Sequence, residues 1–128
     1  MFHKYLIMTR GFKNLIQNGQ TSGFQINIRI ANYRGVALSL IGNVNLIVDG
    51  EEFPFEKIIF KYGRQLFTSN ELKKASDVHW FFGDPLTLII NKTGGLKTGM
   101  HNIELTELIM TYYNELPVTA KKSMSLVQ

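Results

Sequence analysis

The 128-residue chain contains no cysteine, which excludes disulfide-stapled folds and thiolate zinc sites and fits a reducing compartment. Histidine is scarce, with only His3, His79 and His101 available. The ligand pair that small β-barrel metal enzymes carry on one strand, His-x-His, does not occur. His101 and Glu104 lie three positions apart, on opposite faces of any strand. A metal site would have to gather His79, Asp84 and His101 from separate loops. The plainer reading is of surface or hydrogen-bonded histidines, so no metal ligand is assigned.

Long apolar runs are also missing. Residues 5–8 are too few for a signal-peptide core, and no later stretch approaches the length of a membrane-spanning helix. The expectation is a cytoplasmic protein without a membrane partner. The formal net charge is +4, but the cations are scattered, with Lys73-Lys74 and Lys121-Lys122 the adjacent pairs. Nucleic-acid binding calls for a clustered basic stripe, so no nucleic-acid partner is expected. The glycine-rich stretch 93–99 lacks the Lys and Ser or Thr of a phosphate loop, and no helix follows it. It is read as a mobile hairpin connection. No strained nucleophile turn pairs a base with a serine, so no catalytic residue is assigned.

What is present is strand patterning. Phe24, Ile26, Ile28 and Ile30 alternate with Gln25, Asn27 and Arg29, the mark of a half-buried strand. Residues 44–48 repeat that period, and Asp49-Gly50 supplies a tight turn into a return segment that Pro54 confines to a sheet edge. Residues 57–62 and 86–91 are rich in β-branched and aromatic side chains. Residues 100–106 alternate, and then Leu108, Met110 and Tyr112 share the next apolar face. A bulge near Thr106 or Glu107 would explain that slip. Thr68-Ser69-Asn70-Glu71 is a capping box opening a short helix near 69–75.

The sum is all-β: an antiparallel β-sandwich, jelly-roll-like, with one short helix, forming a single domain over residues 1–128. The segment 118–128 is expected to be a loosely held tail.

The aromatic cluster 78–82 holds the single tryptophan. Trp80 is either a core residue or, with His79 and Phe81, part of a sugar platform or subunit anchor, where Trp, Tyr, Phe and Arg are enriched. Tyr33, Arg34, Tyr112 and Tyr113 add residues of the same kind. Tyr33 and Arg34 interrupt an apolar run at 32–35, so they are expected to leave the sheet and engage a partner, Arg34 through paired hydrogen bonds. An internal salt bridge of Arg34 is the alternative. Strands that are apolar on both faces, at 58–60, 86–90 and 108–110, imply that something covers an outer sheet face.

Gly11-Phe12-Lys13-Asn14, Thr21-Ser22-Gly23-Phe24-Gln25, Tyr33-Arg34-Gly35, Val48-Asp49-Gly50, Trp80, Gly94-Gly95-Leu96 with Gly99 and His101, and Tyr113 with Pro117 occur in that order. The ordered set, from about Met1 to Pro117, resembles the small β subunits of bacterial C-glycoside deglycosidases. The resemblance implies a β-sandwich accessory subunit in a hetero-oligomer with a larger metal-binding α subunit of sugar-isomerase-like barrel fold. The divalent metal, manganese by the resemblance, and the base belong to that α subunit. This chain needs no cofactor and is expected to be inactive alone. The substrate implied is a 3-oxo-C-glycoside, such as a flavonoid glycoside, whose ketone acidifies the C2 proton so that elimination breaks a carbon–carbon bond. The rival reading is a stand-alone carbohydrate-binding module using Trp80, Phe81 and Tyr33, or else a structural homo-oligomer.

Overall fold

Alternation becomes pairing wherever one face of a strand must leave water. The computed structural model describes residues 3–110 and 117–126. In chain order its strands are β1 (Lys13–Gln17), β2 (Gln20–Ile28), β3 (Val36–Ala37), β4 (Ile41–Val48), β5 (Glu51–Phe53), β6 (Ile58–Tyr62), β7 (Gln65–Phe67), β8 (His79–Trp80), β9 (Leu86–Asn91), β10 (Gly99–Ile109) and β11 (Val118–Leu126). Helix α1 (Ser69–Lys73) lies between β7 and β8. No helix among the described residues is long and apolar enough to cross a membrane.

The first sheet has five strands in the order β1-β2-β9-β6-β7, the second four in the order β11-β10-β4-β5, and β3 pairs with β8 alone. Among the described residues the strands pair antiparallel throughout. Phe24, Ile26 and Ile28 of β2 are fully buried with Leu88 of β9 and Phe60 of β6. From the second sheet Val44, Leu46, Ile103 and Leu105 are buried in the same cluster. Phe24 and Phe53 meet edge-on across the two sheets, ring centroids 5.5 Å apart. The result is a sandwich of two antiparallel sheets with one short helix, as the strand pattern predicts.

Local chemistry places the turns where they were expected. Asp49 (φ 51°) and Gly50 (φ 86°) both occupy the left-handed region, which two-residue hairpins need to match the strand twist. They join β4 to β5 with Val48 opposite Glu51. β5 is an edge strand, and Pro54 follows it directly. The capping box forms with both bonds in place: the Thr68 hydroxyl accepts from the Glu71 amide at 3.2 Å, and the Glu71 carboxylate accepts from the Thr68 amide at 2.8 Å.

Two expectations are corrected. The alternation of β10 does not slip at Thr106 or Glu107; Ile103, Leu105, Glu107 and Ile109 all face the core. The register shift against β4 falls later, between Leu108 and Ile109. A bulge would have spared Glu107 from burial, but the sheet pairing on both sides of β10 holds the phase instead. The segment after Pro117 is no loose tail either. It pairs with β10 from Gly99↔Leu126 to Glu107↔Val118 and buries Ala120, Met124 and Leu126. Lys122 disguises this strand, because it occupies an inward position where its ammonium donates to the Ile7 carbonyl at 3.0 Å.

The strands that are apolar on both faces also end differently than expected. Ile59 and Ile89 pair on the outer face of the first sheet, half-buried, with Gln25 opposite Ile89. The outer face of the second sheet carries Asn45, Asn102, Thr106, Thr119 and Ser123 among its paired residues. Neither face is a continuous apolar surface. The exposed aromatic surface lies elsewhere.

Candidate functional site

That surface starts at the interruption after Ile30. The Asn32 side-chain carbonyl accepts from the Arg34 amide at 2.9 Å, and the Gly35 amide donates to the Asn32 carbonyl at 3.1 Å. An Asx turn of this kind reverses the chain without a ladder. Gly35 (φ 67°) completes it, and a Cβ there would stand 2.3 Å from the Trp80 carbonyl oxygen. Only glycine lets the loop approach β8 so closely. The His79 Nε2–H donates to the Arg34 carbonyl at 3.1 Å, which fixes the tautomer and ties the loop to β8. Tyr33 is therefore held outward at 71% exposure. The Arg34 guanidinium is also exposed and forms no salt bridge among the described residues. The internal salt bridge considered for Arg34 is therefore absent from this set.

Trp80 belongs to the core. It is wholly buried, and its indole N–H donates to the Asp84 carbonyl at 2.9 Å. It cannot stack on a sugar, which corrects its reading as a platform. A buried tryptophan needs a partner for its N–H, and that bond shapes the turn over residues 81–84. Tyr62 closes the same turn, donating to the Asp84 carboxylate at 2.6 Å and accepting from the Phe81 amide at 3.2 Å. Burial, and then the Asp84 bond, raise the Tyr62 phenol above its ordinary range. The turn presents Phe81 at 59% exposure and Phe82 at 39%.

Phe82 forms the floor of a cleft between two tyrosines. Its ring centroid lies 5.8 Å from Tyr5, in a stacked arrangement, and 5.1 Å from Tyr33. Arg29 fixes Tyr5 twice, with its guanidinium 4.4 Å from the ring centroid and a 2.7 Å bond to the Tyr5 carbonyl. Leu6, Ile30 and Ala31 complete a cleft of about 120 Å³. His79 stands beside Phe81, centroids 4.6 Å apart. The structure thus joins Tyr33, Arg34, His79 and Phe81 at one surface and withdraws Trp80. Tyr112 and Tyr113 lie outside the described residues.

Tyr5 and Glu107 were not among the expected site residues, and Phe82 was expected only as a member of the cluster 78–82. Glu107 is fully buried, and its Oε1 accepts from the Ala31 amide at 3.1 Å, at the base of the cleft loop. Its Oε2 has no hydrogen-bond partner among the described residues. Burial pushes this carboxyl up to about 8, and the Ala31 amide opposes the shift only in part. At neutral pH it is chiefly protonated, the low-cost form for a buried acid with one donor. The signal was its phase, two residues past Leu105.

His101 is a second buried polar group. Its Nδ1 meets the Asp49 carboxylate at 2.5 Å and its Nε2 the Lys97 carbonyl at 2.6 Å. Both partners only accept, so the imidazolium satisfies the pair. Burial opposes that charge, but the Asp49 and Lys97 bonds outweigh it and raise His101. The Asn102 amide and then His101 lower Asp49. The glycine-rich stretch expected to be mobile is thus clamped. Asn14 also clasps Leu96, donating to its carbonyl at 2.8 Å and accepting from its amide at 2.9 Å. His79, Asp84 and His101 are committed to separate bonds, and no three metal-ligating side chains converge among the described residues.

Residues 2–113 match the family described as C-glycoside deglycosidase beta subunit. The C-glycoside deglycosidase beta subunit of Eubacterium cellulosolvens is 32% identical over 102 residues, spanning 79% of this chain and 69% of that protein.

Proposed function

Because the chain belongs to the C-glycoside deglycosidase beta-subunit family, we propose that it is the accessory subunit of a heteromeric carbon–carbon lyase acting on 3-oxo-C-glycosides. The chemistry resides in a larger alpha subunit of sugar-isomerase-like barrel fold, which carries the base and a divalent metal, manganese by family resemblance. There the base removes the C2 proton that the 3-ketone has acidified. The electron pair forms the C1–C2 double bond, the bond from C1 to the aromatic carbon breaks, and that carbon takes up a proton.

The family match over residues 2–113 carries this reading. Among the described residues no three ligating side chains come together, and both His101 nitrogens are engaged. No step is therefore assigned to this chain. Its contribution is binding: a partner-facing surface built on the cleft loop and the turn after β8.

Purified chain and a candidate alpha subunit from the same organism, assayed separately and mixed on a 3-oxo-C-glycoside, test the reading. Activity is expected only in the mixture, with the metal recovered on the larger chain. Turnover by this chain alone, or stoichiometric metal on it, would overturn the assignment. Sugar binding by the isolated monomer, with no response to the larger chain, would favour a carbohydrate-binding module.

A further inference from the structure

The cleft between Tyr5 and Tyr33 is smaller than a glycoside site and close in size to a cavity that takes one ring. Small-molecule sites run to about 300–1,000 Å³, whereas a cavity of about 150 Å³ accepts benzene. This cleft measures about 120 Å³. Its walls are apolar and aromatic apart from Asn32, and no carboxylate lines it among the described residues. Arg34 follows Tyr33 directly, exposed and without a salt bridge among the described residues. Elsewhere large exposed apolar side chains such as Ile16 on β1, Leu66 on β7 and Met100 on β10 sit on separate strands, whereas Tyr33 and Phe82 form a ring-to-ring contact.

From this we infer that the cleft is a socket for a single aromatic side chain of the alpha subunit, set beside a carboxylate that pairs with Arg34. This deepens the proposed function and rests on it. An aromatic cleft with an adjacent arginine has the composition of an interface hot spot, where a few anchors carry most of the binding energy. The cleft is also pre-built. Arg29 holds Tyr5, the Asx turn holds Tyr33, and the Trp80 and Tyr62 bonds hold the turn bearing Phe82. The backbone that carries each ring is thus fixed before binding, which lowers the ordering cost of docking.

The test measures the affinity of the full chain for the alpha subunit in wild type and in Tyr33→Ala, Phe82→Ala and Arg34→Glu, with Ile16→Ala as control. Thermal melts confirm that each variant is folded. Loss of at least tenfold in affinity for the two aromatic variants and for Arg34→Glu, with the control within twofold of wild type, supports the socket. Unchanged affinity in folded variants overturns the socket while leaving the subunit assignment standing. No binding by the wild type overturns both. Unchanged affinity with a raised KM of the assembled enzyme gives the cleft to a substrate ring, and self-association lost in Tyr33→Ala gives it to a second copy; either result overturns the proposal.

Discussion

Glu107 stands where a β10 side chain must point inward, and its cost depends on its proton. The unfolded chain ionises such a carboxyl near the ordinary value of 4.5, while the folded chain holds its proton to about 8. The stability tied to that proton is complete below the unfolded value and is lost as pH rises toward the folded one. Each unit in that window costs up to about 1.4 kcal/mol, with an upper limit of about 3 kcal/mol at neutral pH. Glu107→Gln removes the titration and keeps an acceptor for the Ala31 amide. Relative to wild type, the variant is expected to gain up to about 3 kcal/mol between pH 5 and pH 7.5 and to show a flatter pH dependence in urea unfolding. Parallel curves for wild type and variant would mean that Glu107 ionises normally. His101, raised as well, also loses stability as pH climbs past 6.5, so the difference between the two proteins isolates Glu107. Its phase, two residues past Leu105, is the one local sign of this burial. A carboxylate in an apolar alternation suggests a bulge, and only the pairing on both sides of β10 places the register shift beyond it, between Leu108 and Ile109.

At the level of elements, β11 decides the edge of the second sheet. Met124 and Leu126 are buried, at about 1.5–3 kcal/mol each. Ending the chain after Pro117 removes both and uncovers the hydrogen-bonding edge of β10, an invitation to aggregate. That loss rivals the roughly 5–15 kcal/mol that holds a domain together. The shortened chain is expected to melt non-cooperatively or to aggregate, and Met124→Ala in the full chain to lose about 2–5 kcal/mol by denaturant unfolding. A truncated chain with unchanged melting would restore the tail. The strand was illegible because Lys122 breaks the apolar period, and its inward place depends on the distant Ile7 carbonyl. The capping box of α1 and the Asp49-Gly50 turn were legible, because each completes its hydrogen bonds within a few residues.

For the whole molecule, two sheets share one core and the aromatic surface sits on loops between their strands. If that surface docks a partner in the native state alone, the partner stabilises the fold by mass action, by about 2.7 kcal/mol at a hundredfold excess over Kd. The unfolding midpoint of this chain is expected to rise with alpha-subunit concentration, followed by a label on this chain. A midpoint that stays level across saturating concentrations would show that docking does not depend on the native sandwich.

The amino-acid order alone settled the all-β class, the hairpin at Asp49-Gly50, the short capped helix and the family, because strand period, turn chemistry and ordered motifs are written within a few residues of one another. Only the tertiary structure decided that Trp80 goes inside, that Glu107 is buried with its proton, that β11 seals an edge, and that Tyr5, Tyr33 and Phe82 share a cleft. Those outcomes depend on which distant segment supplies the hydrogen bond or the apolar neighbour, and spacing along the chain does not encode that choice.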